Sequence, residues 1–152
     1  MKKSYLLFVV LISAFIVGFT AYTSNEEPVE TNDNDATLYD RLGGQSAIES
    51  VVDQFIANLA TDTRINGYFA STDMPRLKRL LVEQLCEATG GPCKYTGRDM
   101  KSSHAGLGID KEDFNALIEN LEGALNEFNV SKADQKELLK VLQSMAPDII
   151  EK

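Results

Sequence analysis

The sequence predicts an all-α protein in which two pairs of helices pack as a two-layer sandwich. Three observations support this class. Apolar residues recur at helical spacing in four long segments, the alternation typical of strands is not seen, and one polar loop divides the four segments into two pairs. Amphipathic helices must bury their apolar faces, and two pairs can do so against each other in two layers.

The first 36 of the 152 residues lie outside this helical part. Met1-Lys2-Lys3 precedes a nearly continuous apolar run over residues 5–22, the order typical of an export signal. The run is close to the lower length limit for a membrane span, so residues 1–23 are either a cleaved signal peptide or a retained membrane anchor. Residues 24–36 are acidic and predict a solvated linker. We therefore expect the folded domain, residues 37–150, to be exported, either periplasmic or tethered to a membrane and facing outside the cytoplasm.

Helix signals define the first pair of helices. The capping-box pattern of Ser46 and Glu49 predicts the start of the first, and its apolar positions are Ile48, Val51, Val52, Phe55, Ile56 and Leu59. The second is predicted to begin near Asp73, with Pro75 in its first turn, and to end before Gly90-Gly91-Pro92. Its apolar positions are Leu77, Leu80, Leu81 and Leu85.

Residues 93–108 are predicted to be mainly loop, because they are poor in apolar residues and rich in Gly, Ser and Thr. They leave room for only a brief helix over Met100 to His104. A third helix is predicted after Asp110 and a fourth after Ser131, both good N-caps. The residues of the third helix that are predicted to point inward are Phe114, Leu117, Ile118, Leu121, Leu125 and Phe128. Pro147 is predicted to end the fourth, whose inward residues are Leu138, Leu139, Leu142 and Met145.

The charge balance argues against nucleic acid as a partner. The formal net charge is −8, and the Lys and Arg residues form no cluster that would attract phosphates against this acidic background.

His104, the only histidine of the chain, limits the chemistry available. A four-ligand structural zinc site would need carboxylates to complete it, and no CxxCH motif is present to attach haem covalently. Ser102 and Ser103 are adjacent to His104 on the predicted helix and cannot face it as a hydrolytic pair would. From the residues alone, His104 is either a metal ligand or an ordinary surface or hydrogen-bonded histidine.

Seven short motifs in order support a more specific interpretation: Leu38-Tyr39-Asp40-Arg41-Leu42-Gly43-Gly44, Tyr68-Phe69, Met74-x-Arg76-Leu77, Gly90-Gly91-Pro92, Tyr95-Thr96-Gly97, Met100-Lys101-x-x-His104 and Gly106-x-Gly108-Ile109. With these motifs the chain, from about Leu38 to Ile150, resembles a group I truncated haemoglobin. The resemblance implies the truncated globin two-over-two helical sandwich around a haem pocket. It also implies haem b as cofactor and reversible binding of a diatomic gas (O2, NO or CO).

The resemblance also implies roles for single residues. His104 falls on the proximal iron ligand, and Phe69 falls on the aromatic residue that packs against the porphyrin face, although core packing alone would also explain Phe69. Met100, one turn before His104, is expected to line the pocket. Three residues fall near the haem propionates, where charge-assisted pairing is expected and a solvated surface role is the alternative: Arg76, Lys78 and Tyr95.

The gas-binding side departs from the best-known family pattern. Where many members carry Tyr and Gln, this chain has Ile56 and Leu81, and Leu77 and Leu85 flank the latter. These apolar residues cannot donate a hydrogen bond to bound O2, so we expect weaker affinity and faster release. Two nearby polar side chains that could turn into the pocket are Tyr68 and Gln84.

Two functional alternatives remain open at the level of sequence. One is a redox enzyme, either an NO dioxygenase or a peroxidase-like protein. It would need an external reductase, because the chain has no flavin or nicotinamide motif. The other is a haem-free interaction module on a tether.

The two cysteines, Cys86 and Cys93, also leave two interpretations open. In an oxidising compartment they could form a disulfide across the turn that follows the second helix. Otherwise they are free thiols, with Cys86 packed as a small apolar residue.

Overall fold

The computed structural model describes residues 36–152. The predicted signal peptide or anchor, and the linker through residue 35, lie outside the described residues. Within residues 36–152 the secondary structure is helical, without strands, as predicted. The helices are α1 (Leu38–Arg41), α2 (Gly44–Thr61), α3 (Met74–Ala88), α4 (Met100–His104), α5 (Lys111–Glu127), α6 (Lys132–Gln143) and α7 (Ala146–Ile149), with a 3₁₀ turn at Asn66–Phe69. None of the described helices combines the length and apolar character that crossing a membrane requires.

The N-caps predicted for three helices are confirmed. The Asp73 carboxylate accepts a hydrogen bond from the Arg76 amide at the start of α3. The Asp110 side chain forms a capping box with Asp113 at the start of α5, and the Ser131 hydroxyl caps α6. Each cap satisfies amide groups that the first helical turn leaves without an intrahelical acceptor.

The predicted start of the first long helix was wrong. Helix α2 begins at Gly44, with Gly43 as its N-cap, so Ser46 lies inside the helix rather than capping it. Gly43 and Gly44 have φ values of 94° and 72°. This left-handed conformation, which favours glycine, lets the chain turn from α1 directly into α2. The glycine pair therefore starts the helix earlier than the Ser46 signal suggested.

Two further predictions failed at helix C-termini. Phe128, predicted to point inward, is the C-cap of α5 and is 45% exposed. Helix α6 ends at Gln143, before Pro147, which lies in the first turn of α7 instead. A proline is tolerated in a first turn because its missing N–H has no intrahelical acceptor there.

The hydrophobic core lies between the long helices. Helix α2 packs against both α3 and α5, and α5 packs against α6, which gives the predicted two pairs in two layers. The largest fully buried side chains come from all four of these helices: Leu59, Leu121, Leu125, Leu138, Val52 and Cys86. The short helix α4 contributes no buried residue. It packs against the short helix α7 instead.

Candidate functional site

A cavity of about 750 Å³ is lined by residues of α3 and α4, of α2 and α5, of the 3₁₀ turn, of the loops beside α4 and of the C-terminal segment. Most of its lining is apolar. Its volume falls within the range of sites that enclose small molecules and cofactors. The cavity is therefore the candidate functional site.

Most of the site residues predicted from the sequence line this cavity: Phe69, Arg76, Leu77, Leu81, Tyr95, Met100 and His104. The structure thus brings together residues that are up to 35 positions apart in the printed sequence. Their individual roles toward a ligand remain predictions.

Ile56 and Lys78, also predicted for the site, lie outside it. Along α2 the cavity is lined by Phe55 and Leu59, which are one turn apart. Ile56 is rotated by about 100° from Phe55 and is a partly buried neighbour of the core instead. The Lys78 ammonium lies 2.6 Å from the Asp53 carboxylate of α2, so its charge pairs between helices rather than at the cavity.

His104 ends the short helix α4, which Asp99 caps by accepting a hydrogen bond from the Ser102 amide. The Nδ1 atom of His104 lies 2.7 Å from the carbonyl oxygen of Met100, one turn earlier. A carbonyl can only accept a hydrogen bond, so Nδ1 carries the proton and Nε2 keeps its lone pair in the neutral ring. Histidines that bind a metal through Nε2 commonly donate the Nδ1 proton to a carbonyl or carboxylate oxygen, and this hydrogen bond orients the ring.

The sequence interpretation missed Arg98, which lines the cavity together with Arg76. The phenol of Tyr95 donates a hydrogen bond to the Arg98 carbonyl oxygen at 2.9 Å, and burial raises the pKa of Tyr95. The signal was available, because Arg98 stands between the Tyr95-Thr96-Gly97 and Met100 motifs. Two guanidinium groups at one cavity suit a ligand that carries carboxylates.

A tyrosine–aspartate pair also lines the cavity. The Tyr68 hydroxyl donates a hydrogen bond to Asp113 Oδ2 at 2.7 Å. This bond raises the pKa of Tyr68 and lowers that of Asp113. Asp113 was not predicted, because its position in the sequence marks it only as part of a helix cap.

The α3 side of the cavity is mainly leucine, with one amide. Leu77, Leu80 and Leu81 line it, and Gln84 follows one turn after Leu80. The Gln84 amide nitrogen lies 3.4 Å from the sulfur atoms of Met100 and Met145. The amide therefore points toward the methionines.

Cys86 and Cys93 form a disulfide, which decides between the two interpretations left open by the sequence. Their Cα atoms are 5.7 Å apart, and neither thiol is free. The bond joins the last turn of α3 to the loop that leads to α4.

The donor set fits haem. One imidazole is oriented to offer Nε2, the cavity beside it is large and mostly apolar, and Arg76 and Arg98 can pair with propionate groups.

Comparison with known proteins identifies the family of the chain. The family model for bacterial-like globins matches residues 37–151. The group 1 truncated hemoglobin GlbN of Mycolicibacterium paratuberculosis is 39% identical over 114 residues, which cover 75% of this chain and 84% of the relative. GlbN of Nostoc sp. (strain MUN 8820) is 39% identical over 117 residues, covering 77% of this chain and 99% of the relative.

Solved structures show the same fold. The truncated hemoglobin from Tetrahymena pyriformis in its Fe(III) form has a TM-score of 0.74 and 32% identity, over 77% of this chain and 100% of that one. The 2/2 hemoglobin from Synechococcus sp. PCC 7002, in the cyanomet state and with covalently attached heme, has a TM-score of 0.72 and 30% identity, with the same coverage. Fold and sequence agree, and the chain belongs to the bacterial-like globin family as a group I truncated haemoglobin.

Proposed function

We propose that this protein binds haem b through Nε2 of His104 and reversibly binds a diatomic gas (O2, NO or CO) at the haem iron. The observation that carries the proposal is the hydrogen bond from His104 Nδ1 to the Met100 carbonyl, which leaves Nε2 as the ligand at a large apolar cavity. When bound, the haem supplies the iron that holds the gas.

The lining residues have separate tasks in this proposal. Phe69 and the leucines of α3 exclude water and pack against the porphyrin. Arg76 and Arg98 pair with the propionates, which are carboxylates at one edge of haem.

The α3 side supports a gas site with little hydrogen bonding. Leu77 and Leu81 offer no donor, and the two polar side chains that the sequence suggested could turn into the pocket already have partners. The Tyr68 hydroxyl donates to Asp113, and the Gln84 amide contacts two methionine sulfurs. We therefore expect bound O2 to dissociate faster than from a pocket that provides a donor.

An absorption spectrum tests the proposal. The wild-type protein, mixed with haem, should show a Soret band, and His104→Ala should lose it while its far-ultraviolet circular dichroism keeps the helical signal. The matched control is Lys101→Ala, an exposed position on the same helix, which should keep the band. A Soret band of unchanged position and intensity in His104→Ala would refute ligation by His104.

We also propose that the domain works outside the cytoplasm. The disulfide of Cys86 and Cys93 supports this, because such bonds persist in oxidising compartments. Residues 1–22 also support export, because basic residues precede an apolar run, as in an export signal. Fractionation of producing cells, followed by alkylation of free thiols, should find unalkylated protein in the exported or membrane fraction. Fully alkylated protein in the cytoplasmic fraction would contradict the proposal.

A further inference from the structure

The helix that carries His104, α4, contributes no buried side chain to the hydrophobic core. Helix α4 has five residues, none of them is buried, and the helix it packs against is α7, which has only four residues. A helix of this length is also not stable by itself. Three carboxylates from other parts of the chain instead contact the segments on both sides of it. These residues, Glu83, Glu87 and Glu151, are here called the carboxylate clamp.

Two members of the clamp hold the segment before α4. Glu83 Oε2 accepts hydrogen bonds from the Thr96 amide at 3.0 Å and from the Thr96 hydroxyl at 2.6 Å. Glu87 Oε2 accepts from the Tyr95 amide at 2.8 Å, and its other oxygen pairs with Lys94. Glu83 and Glu87 lie one turn apart on α3, so they receive two successive backbone N–H groups. These hydrogen bonds hold residues 95 and 96 of the loop against α3.

The third member holds the segment after α4. The two Glu151 oxygens accept hydrogen bonds from the Gly106 and Gly108 amides, each at 2.6 Å. The Glu151 amide in turn donates to the Ile109 carbonyl at 2.9 Å. Two backbone N–H groups that converge on one carboxylate form a compact anion-binding turn. This turn begins two residues after His104.

We propose that Glu83, Glu87 and Glu151 are positioning residues that hold His104 where its Nε2 can ligate haem iron, so that the clamp sets how long haem is retained. The proposal rests on the proposed function. Hydrogen bonds to a carboxylate are stronger than those between neutral groups, and they are directional. Acting on both flanks, they fix the position and the angle of a helix that contributes no buried residue to the core.

Substitution by glutamine tests the clamp in the full-length protein loaded with haem. In Glu151→Gln one of the two accepting oxygens is replaced by an NH2 group, which cannot accept a hydrogen bond from a backbone N–H. In Glu83→Gln the negative charge beside Thr96 is lost. We expect haem transfer to excess apomyoglobin to become about tenfold faster in each variant, and faster still in the double variant. Glu127→Gln, at an exposed position on α5, is the matched control and should transfer haem at the wild-type rate.

Two further readouts separate positioning from general stability. In the haem-free protein, amide hydrogen exchange at Gly106 and Gly108 should accelerate in Glu151→Gln, while amides of α5 and the urea midpoint stay unchanged. In the ferrous protein, the iron–histidine stretching band should shift or broaden in both glutamine variants but not in Glu127→Gln.

The outcomes distinguish this inference from the proposed function. If wild-type haem binding depends on His104 but all glutamine variants lose haem at the control rate, this inference alone is overturned. Faster loss that only parallels a lower urea midpoint overturns it as well. If the Soret band survives in His104→Ala, the proposed function is overturned, and this inference with it.

Discussion

The two walls of the cavity are held by different forces. In the proposed function the gas-side wall is α3, a helix of 15 residues whose Val82, Leu85 and Cys86 are buried against the core. The iron-side wall of the proposal is α4, five residues long and without a buried side chain, which contacts the short helix α7 and is held by the carboxylate clamp and by the disulfide before it. One wall is thus fixed by apolar packing and the other by polar and covalent contacts.

This difference suits the two tasks. Apolar packing is non-directional and insensitive to pH, which suffices for a wall that only has to exclude water and leave room for a gas. A ligand to iron must also have the correct distance and angle, and directional hydrogen bonds provide both. It follows that substitutions in the core should lower the free energy of unfolding of the whole domain. Substitutions at the polar contacts should alter only the segments next to His104.

The largest effect is expected from the packed wall. Leu85→Ala removes a buried side chain of α3 that is 5% exposed and should lower the free energy of unfolding by about 2–5 kcal/mol. Leu107→Ala, in the loop after His104, is the matched control, because Leu107 is 45% exposed and should change stability by less than about 0.5 kcal/mol. Urea unfolding followed by circular dichroism measures both. Equal losses in the two variants would contradict the proposed division between the walls.

Reduction of the disulfide should have the next largest effect. The bond closes a short loop, since Cys86 and Cys93 are seven positions apart. Closing such a loop lowers the conformational entropy of the unfolded chain and so stabilises the folded state by about 2.5 kcal/mol. We expect the urea midpoint of the haem-free protein to fall on reduction. Amides of Tyr95 and Thr96 should then exchange faster than those in the middle of α3. Uniform acceleration along the chain would show that the disulfide stabilises the whole fold rather than the loop.

A smaller effect, specific to the gas side, is expected from Leu81→Gln. An amide at this position of the cavity can donate a hydrogen bond to bound O2, worth about 1 kcal/mol, so O2 should dissociate roughly fivefold more slowly. Leu81→Met is the control, because it keeps the wall apolar and of similar volume. Stopped-flow displacement of O2 by CO measures the rates. An unchanged rate in Leu81→Gln would argue against placing Leu81 at the gas.

Local signals in the sequence were sufficient for much of the fold. Apolar spacing predicted the four long helices, and the caps at Asp73, Asp110 and Ser131 were correct because a cap depends on residues within one turn. The bounds of α4 were also correct. Ile56 does not line the cavity, because neighbouring positions on a helix differ in direction by about 100° and motif matching does not resolve that difference.

Partners distant in the sequence could not be predicted. Lys78 pairs with Asp53 of another helix, and Glu151 reaches Gly106 across 45 positions. No local pattern distinguishes Glu151 from other exposed glutamates, since its role depends entirely on how the C-terminal segment folds back. The chemistry of the iron-side wall therefore required the three-dimensional structure, whereas the leucines of the gas-side wall were visible in the sequence.

The smallest expected effect is a pH dependence confined to the iron-side wall. The Gly106 and Gly108 amides hold the pKa of Glu151 below its ordinary value, and the neighbouring charge of Lys152 acts in the same direction. Because the folded pKa is the lower one, the contact contributes stability above the unfolded value of about 4.3 and loses it as the pH falls through the folded pKa. In the haem-free protein, the amide resonances of Gly106 and Gly108 should therefore shift with a midpoint below the ordinary pKa of a glutamate. The shift should be absent in Glu151→Gln, and buried amides of α5 should not follow it. If Gly106 and Gly108 titrate in the same way in both proteins, Glu151 is not the group that holds this turn.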